Sequence, residues 1–325
     1  WEYMPVNRVD YAGISEYGGA FTIGTMCLLR TEALKKAGGW ADWCLTEDSE
    51  VSVRLRAVGY RGLYFVETFG RGLIPETFDD YKKQRFRWAA GPVQQLRRHW
   101  RLFMPSPWAP RMPGWTKLLE IARCSTPLAR LAGIVTLVFS LSAMAVAAAS
   151  GTVEQIDVPD VSWLVLLMGA LVWCVRTVHR YHLAGCYSVS NMIRGEIARA
   201  SLSYVILQGG VAGLSSRPLA WRRTPKFAIN ESEPSPFETT RSETMAGSIC
   251  LGVAALVLAG SPMWGFEFAL LVSMGLGTLA AQFFCAPLLA AMAIRHQQQI
   301  ARQTQISEKD ALRLAELSAI PSTAG

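Results

Sequence analysis

The pattern of apolar and polar positions changes character part way along the chain. Up to about residue 104 the apolar runs are short, broken by charges and by Gly or Pro. Residues 20–30 (AFTIGTMCLLR) read as a strand with a Gly-Thr break, and Thr31 as the cap of a short helix that stops at Gly38-Gly39. Thr46 is a good N-cap residue, followed by Glu47, Asp48 and Glu50 in the first helical turn. Val51, Leu55 and Val58 then recur at helical spacing and predict one buried stripe, ended by Gly59. Arg61 to Val66 reads as a second strand. Thr77 and Asp80 resemble a capping box that opens a helix over residues 78–98. The order strand, helix, helix, strand, helix predicts an α/β domain that lacks its front.

Beyond residue 130 the pattern is different. Leu131 to Ser150, Val161 to Val175, Thr244 to Phe266 and Phe268 to Ile294 carry no Asp, Glu, Lys or Arg. A helix needs about 20 apolar residues to cross a bilayer, so four spanning helices are predicted. Arg176 closes the second run, and its long stem can reach the interface. The loops 151–160 and 261–267 hold no Lys or Arg, whereas 217–242 holds Arg217, Arg222, Arg223, Lys226 and Arg241. The positive-inside rule puts the basic loop, residues 1–127 and the tail from Arg295 on the cytosolic side. A fifth uncharged run, Ala200 to Ser216, would invert that arrangement if it crossed, so it is read as interfacial or buried among helices. Pro105, Pro107, Pro110 and Pro113 with Trp108 and Trp115 form a stiff junction whose rings suit the headgroup level.

Composition agrees with a membrane reading. Hydrophobic residues make up 51% of the 325, and mean hydropathy is positive. The formal charge is +7, and 18 of the 32 Lys and Arg fall in residues 1–127. That basic half is assigned to the membrane surface rather than to nucleic acid. Seven scattered cysteines without a C-x-x-C pair argue against a disulfide framework or a zinc site. His179, His182 and Cys186 can be drawn as a metal cluster, but polar residues at a membrane helix end are the simpler reading. Because the chain opens on Trp1 in mid-element, it is expected to be the C-terminal part of a longer protein.

Three stretches carry candidate chemistry. Acids at 47, 48 and 50 can be explained by the helix dipole alone, at roughly 0.3–1 kcal/mol each. In "QRFRW" (84–88), Gln84, Arg87 and Trp88 stand at i, i+3 and i+4 of a helix and present an amide, a guanidinium and an indole. Such a face suits a phosphate and the apolar face of a sugar; a core Trp with an extended Arg is the plainer alternative. In "WRRTPK" (221–226), Thr224 and Lys226 suit phosphate, or anionic lipid at the membrane edge.

In this order and context the stretches resemble the processive, membrane-embedded family 2 glycosyltransferases, such as bacterial cellulose synthase and β-glucan synthases. Thr46–Asp48 looks like the family's TED motif, "QRFRW" fits Q-x-x-R-W, and "WRRTPK" is similar to the gating-loop motif F-x-V-T-x-K, with Trp for Phe and Arg for Val. "FTIGT", with Gly24 and Thr25, resembles the segment beside the acceptor sugar. The resemblance implies a partial GT-A-type α/β domain followed by transmembrane helices. It implies that Asp48 is the general base, with Glu47 in support. Gln84, Arg87 and also Arg85 would contact the diphosphate, Trp88 would stack on the acceptor, and Thr224 and Lys226 would close over the nucleotide. Glu50, outside the motif, is given a structural role. The implied partners are a nucleotide sugar (UDP-glucose), a glycan acceptor and the lipid bilayer; the implied cofactor is Mg²⁺ or Mn²⁺, with its ligands outside this chain. The implied location is a bacterial inner membrane, multi-pass, with the catalytic part and C-terminus cytoplasmic.

The chain departs from the family in having no D-x-D motif. The 325 residues alone are therefore expected to be inactive. The expected organisation is a catalytic part at 1–104, a junction at 105–130, helix pairs at 131–178 and 243–294, a segment with the gating-type loop at 179–242, and a tail at 295–325. Other readings are a non-processive transferase acting on a lipid or periplasmic glycan, and a transporter or scaffold. The four predicted spans lack a charged midplane residue, which weighs against a transporter.

Overall fold

A computed structural model describes residues 1–70, 72–105, 111–153, 155–221 and 235–318, without the side chains of 304 and 308–318. The regular structure of the described residues is helical: α1 (Tyr3–Pro5) and α2 (Tyr11–Glu16), joined by a wider π-type turn at Val6–Asp10; α3 (Thr31–Lys36); α4 (Glu47–Ala57); α5 (Phe78–Arg98); α6 (Trp100–Phe103); α7 (Gly114–Ser150); α8 (Asp160–Leu183); α9 (Val189–Ala200); α10 (Ser203–Leu214); α11 (Pro236–Thr239); α12 (Arg241–Ala259); α13 (Ser261–Trp264); and α14 (Phe266–Ser318).

The expected strands at 20–30 and 61–66 are not formed, so an α/β sheet is absent among the described residues. A strand exists only in a ladder, and these two segments place their donors elsewhere. The Thr22 N–H donates to Ser52 Oγ at 2.9 Å, and the Tyr64 N–H donates to Ser15 Oγ at 3.1 Å. The segments touch where Gly62 lies against Ala20, close enough that a Cβ on Gly62 would stand 3.2 Å from Ala20. Leu28, Leu63, Phe65 and Phe69 are exposed, so no second layer covers them.

The helices at 47–57 and 78–98 stand where the sequence places them, but two of the expected caps do not form. Thr31 is the first residue of α3, behind Arg30 at the cap position, which makes no side-chain capping bond, and Thr46 stands at the cap of α4 without making one. Thr77 does cap α5, accepting from the Asp80 N–H at 3.1 Å and donating to Asp80 Oδ2 at 3.0 Å. Nor is α4 buried on one apolar stripe. Val51 and Val53 are buried together with Ser49, Glu50, Ser52 and Arg56, because polar partners surround this helix.

Five helical stretches are long and apolar enough to cross a membrane: Gly114–Ser150, Asp160–Leu183, Val189–Leu214, Arg241–Ala259 and Phe266–Ser307. Three contain the predicted runs at 131–150, 161–175 and 268–294; the run at 244–266 is cut short, since α12 ends at Ala259 and α13 follows after Gly260. The fifth joins α9 and α10, which break at residues 201–202. No residue in the apolar windows of α7 and α8 is buried, whereas 39% of the α9–α10 window is. Phe78 and Tyr81 of α5, Leu202 and Val205 at α10, and Ala286 and Ala290 of α14 form one apolar core. Val53, Phe103 and Met112 form another, beneath α4.

α10 meets α5 almost backbone to backbone. A Cβ on Gly213 would stand 2.6 Å from the Ala90 carbonyl, and one on Gly209 would stand 2.7 Å from Ala89 Cβ. Gly210 makes the same kind of approach to Pro127 of α7, at 3.0 Å. These contacts seat α10 between the helix that carries residues 84–88 and α7. The substitution Gly213→Val is expected to destabilise the fold by about 1–3 kcal/mol through overpacking. Thermal unfolding in detergent checks this, and an unchanged Tm would contradict the packing described.

Candidate active site

The start of α4 is held by α5. Thr46 accepts at its hydroxyl from Gln95 Nε2 at 3.0 Å, and its carbonyl accepts from the same nitrogen at 3.4 Å. The preceding Leu45 N–H donates to Gln94 Oε1 at 3.0 Å. Ser49 Oγ donates to Gln95 Oε1 at 3.4 Å. Room for this comes from Gly91, where a Cβ would stand 2.0 Å from Thr46 Oγ1. Any larger residue at 91 would push the turn off the helix.

Asp48 sits on this fixed turn. Its Oδ1 accepts from the adjacent Ser49 N–H at 2.7 Å. Its carbonyl accepts from Thr22 Oγ1 at 2.6 Å and from Ser52 Oγ at 2.9 Å. Thr22 thereby ties the 21–25 segment to α4. Gly24, at φ +80°, lies directly over the other oxygen: a Cβ there would be 2.9 Å from Asp48 Oδ2. Only a glycine suits both that backbone angle and that approach. Thr25 is exposed next to it. Burial pushes the Asp48 carboxyl above its ordinary value and the Glu47 charge adds to this, while the Ser49 N–H and the Arg123 charge pull it partly back. A partly buried carboxyl held above its ordinary value is a candidate proton-transfer group.

Glu47 is exposed, and its field acts on Arg87. Glu50 is fully buried and bonds Arg54 Nε at 2.7 Å and His99 Nε2 at 2.5 Å. Burial alone would raise the Glu50 carboxyl; the bonds from His99 and Arg54 outweigh it and hold it below its ordinary value.

On α5, Gln84 and Trp88 meet at Tyr3. The Tyr3 hydroxyl donates to Gln84 Oε1 at 2.8 Å, and the Tyr3 ring meets the Trp88 ring edge-on at 6.1 Å. Arg85 lies behind them in a cage, over the rings of Tyr3, Trp88 and Tyr81 at 4.6, 4.6 and 5.0 Å. Glu2 neutralises its charge. Trp88 remains 39% exposed, so one side of the indole is open. Arg87 points instead to Trp221, whose ring it covers at 5.0 Å. It also borders a groove of about 690 Å³ between α5 and α10, with Lys82, Phe86 and Tyr204. Thr224 and Lys226 lie outside the described residues.

The structure adds residues that motif reading misses. Glu120 of α7 is buried between Arg56 of α4 and Arg123 of α7. Arg56 also donates to the Ala20 carbonyl at 2.5 Å, and Arg123 donates to Gln95 Oε1 at 3.1 Å. A signal existed: Glu120 and Arg123 at i, i+3 are charges in the apolar stretch LLEIARC just ahead of the first uncharged run. Among the described residues no group of three His, Cys, Asp or Glu is placed to hold a metal ion. The donor set present does not fit a divalent cation, and no step is assigned to one.

Residues 11–176 match the family model for glycosyl transferase family group 2. The chain is 35% identical over 86 residues to glucomannan 4-beta-mannosyltransferase 9 of Arabidopsis thaliana, covering 26% of this chain and 16% of that protein. It is 35% identical over 75 residues to the probable glucomannan 4-beta-mannosyltransferase 7 of Oryza sativa subsp. japonica, covering 23% and 13%. The chain thus matches about a sixth or less of the length of these relatives.

Asp48 and Glu50 of α4 make opposite contributions to stability. Asp48 is raised in the fold, so its ionised form opposes folding once the pH exceeds its unfolded value. Glu50 is lowered, so it stabilises above its unfolded value, and that contribution is lost as the pH falls through its folded one. At pH 7, Asp48→Asn is expected to raise the unfolding midpoint. Glu50→Gln is expected to lower stability by about 1–3 kcal/mol. Parallel melts of the two variants check the signs; a destabilised Asp48→Asn would contradict the burial argument.

Proposed function

Because this chain belongs to glycosyl transferase family group 2, we propose that it carries the acceptor-activating part of a membrane-embedded, inverting transferase that extends a β-linked polysaccharide. The observation that carries the reading is the Asp48 turn: a partly desolvated carboxylate, rigidly mounted, with Oδ2 beside the glycine of the 21–25 segment. General-base catalysis needs a carboxylate held within reach of the hydroxyl it deprotonates.

In this reading the acceptor hydroxyl gives its proton to Asp48 as its oxygen attacks the anomeric carbon of a nucleoside diphosphate hexose. The new C–O bond forms on the face opposite the bond that breaks, so the configuration inverts. The electron pair of the broken bond leaves with the diphosphate. Arg87, beside Trp221, is the described cation placed to balance that charge, joined by Thr224 and Lys226 of the following stretch. Gln84 orients the site through Tyr3. Trp88 offers its open side to the acceptor sugar. Arg85, caged by Glu2 and three rings, supports Trp88 rather than the diphosphate. Glu47 tunes both Asp48 and Arg87.

Five helical stretches long and apolar enough to cross a bilayer support a membrane setting for this chemistry, and in this reading the basic half faces the cytosol by the positive-inside rule. A polymer grown beside membrane helices can be passed through them, which gives extension and export one route. The hexose is glucose by motif resemblance, whereas the relatives are named for mannosyl transfer. Membranes containing the full-length protein, given glucosyl and mannosyl nucleotides in parallel, identify the donor from the sugar incorporated and the linkage formed.

Asp48→Asn is expected to lower transfer by at least about 10²-fold while the protein still inserts and assembles. A transporter or scaffold would keep its function in that variant, and retained sugar transfer would refute the base assignment. Trp88→Ala is expected to shorten the product and raise the acceptor KM more than the donor KM. Unchanged product length in that variant would remove Trp88 from the acceptor site.

A further inference from the structure

We propose that Arg123 is a positioning residue for Asp48, fixing from the first membrane-type helix both the turn that carries the carboxylate and the loop that covers it. This rests on Asp48 being the base.

Arg123 contacts two neighbouring elements directly and reaches a third, α4, through Glu120 of its own helix. Toward α5, its guanidinium donates to Gln95 Oε1 at 3.1 Å. That bond fixes which way the Gln95 amide faces. With Oε1 taken by Arg123 and Ser49, the Nε2 end is directed at the hydroxyl and carbonyl of Thr46. A reversed amide would set an acceptor against the Thr46 carbonyl and release the turn two residues before Asp48. Toward the covering loop, the guanidinium stands over the Phe21 ring at 4.5 Å, three residues before Gly24. Toward α4, it donates to Glu120 at 2.7 and 3.2 Å. Glu120 also binds Arg56, which in turn holds the Gly19 and Ala20 carbonyls at 3.4 and 2.5 Å, where the same loop begins.

The charge arithmetic points the same way. Two guanidiniums share one carboxylate, so the buried cluster keeps a surplus positive charge. The charged groups around Asp48 are Glu47 on its own helix, with Arg87 of α5 acting on Glu47, and Arg123 with Glu120 and Arg56 behind it; the Cys44 and Cys124 thiols flank Gln95. Of these, Arg123 is the cation whose field favours the ionised Asp48 against the cost of burial. α7 runs on from Arg123 into its apolar half as one helix, so in this proposal Arg123 and its partner Glu120 couple the position of that helix to the base.

The test uses the full-length protein in membranes, with kcat, donor KM and the pH dependence of kcat/KM measured for R123Q, R123K and D48N. R123Q is expected to lose about tenfold or more in kcat with donor KM nearly unchanged. Its acid limb should move to higher pH, because a carboxylate without its cation holds its proton longer. R123K keeps the charge but not the forked geometry. It should keep the acid limb of the unaltered protein and recover part of kcat. The proposal is overturned if R123Q loses activity only in proportion to folded protein with its acid limb unmoved, or if R123K matches R123Q in both respects. If R123Q does not accumulate, F21L carries the test: a several-fold fall in kcat with an unmoved limb supports the proposal, and an unaltered kcat overturns it. An active D48N would fail the base assignment itself, a separate result from any of these.

Discussion

The bonds from the Gln95 amide to Thr46 are what the rest of the site depends on. They take the residue that should cap α4 and use it as an anchor on α5. A capped helix start floats with its own helix; an anchored one moves with its neighbour. Asp48 is two residues along, so its carboxylate inherits the rigidity of α5. The cost is a close approach that only glycine at 91 permits. The return is a carboxylate, the proposed base, whose position is set by packing and not by a loop.

α5 is itself held at several levels. Its Ala89–Ala90 face receives the glycines of α10, and Gly210 of α10 reaches Pro127 of α7. Lys82 crosses to the Thr239 carbonyl at 2.6 Å and to Glu243 at 3.2 Å, joining α5 to the start of α12. The helix bearing Gln84, Arg87 and Trp88 is thus fastened to membrane-type helices. The proposed sugar site and the membrane-type helices share one frame, which is what the proposed function requires.

Much of the site was legible because its residues carry unusual chemistry at fixed spacing. An Arg beside a Trp on one helical face, or three acids at a helix start, stands out in a string of letters. The helices at 47–57 and 78–98 were legible from period and breakers. The locking residues were less so: Gln95, Gly91 and Arg56 have ordinary types at ordinary helical positions, and their meaning comes from partners 36–64 residues away. The Thr46 cap was misread because Thr prefers caps locally, and a long-range amide outcompeted that preference. The two expected strands were misread for a related reason. Propensity marks a residue that fits a sheet, but a ladder needs a partner, and these segments spend donors on Ser52 and Ser15. Motif reading also grouped Arg85 with Arg87; only burial separates the caged guanidinium from the one at the groove.

The central claim is geometric: Asp48 is the group that takes the acceptor's proton. A structure of the full-length protein with a nucleoside diphosphate and a short glycan tests it most directly. The account predicts the terminal acceptor hydroxyl about 2.6–3.2 Å from Asp48 Oδ2, with the acceptor ring against the open side of Trp88. An acceptor bound with its terminal hydroxyl beyond hydrogen-bond reach of Asp48, and facing another carboxylate, would contradict it.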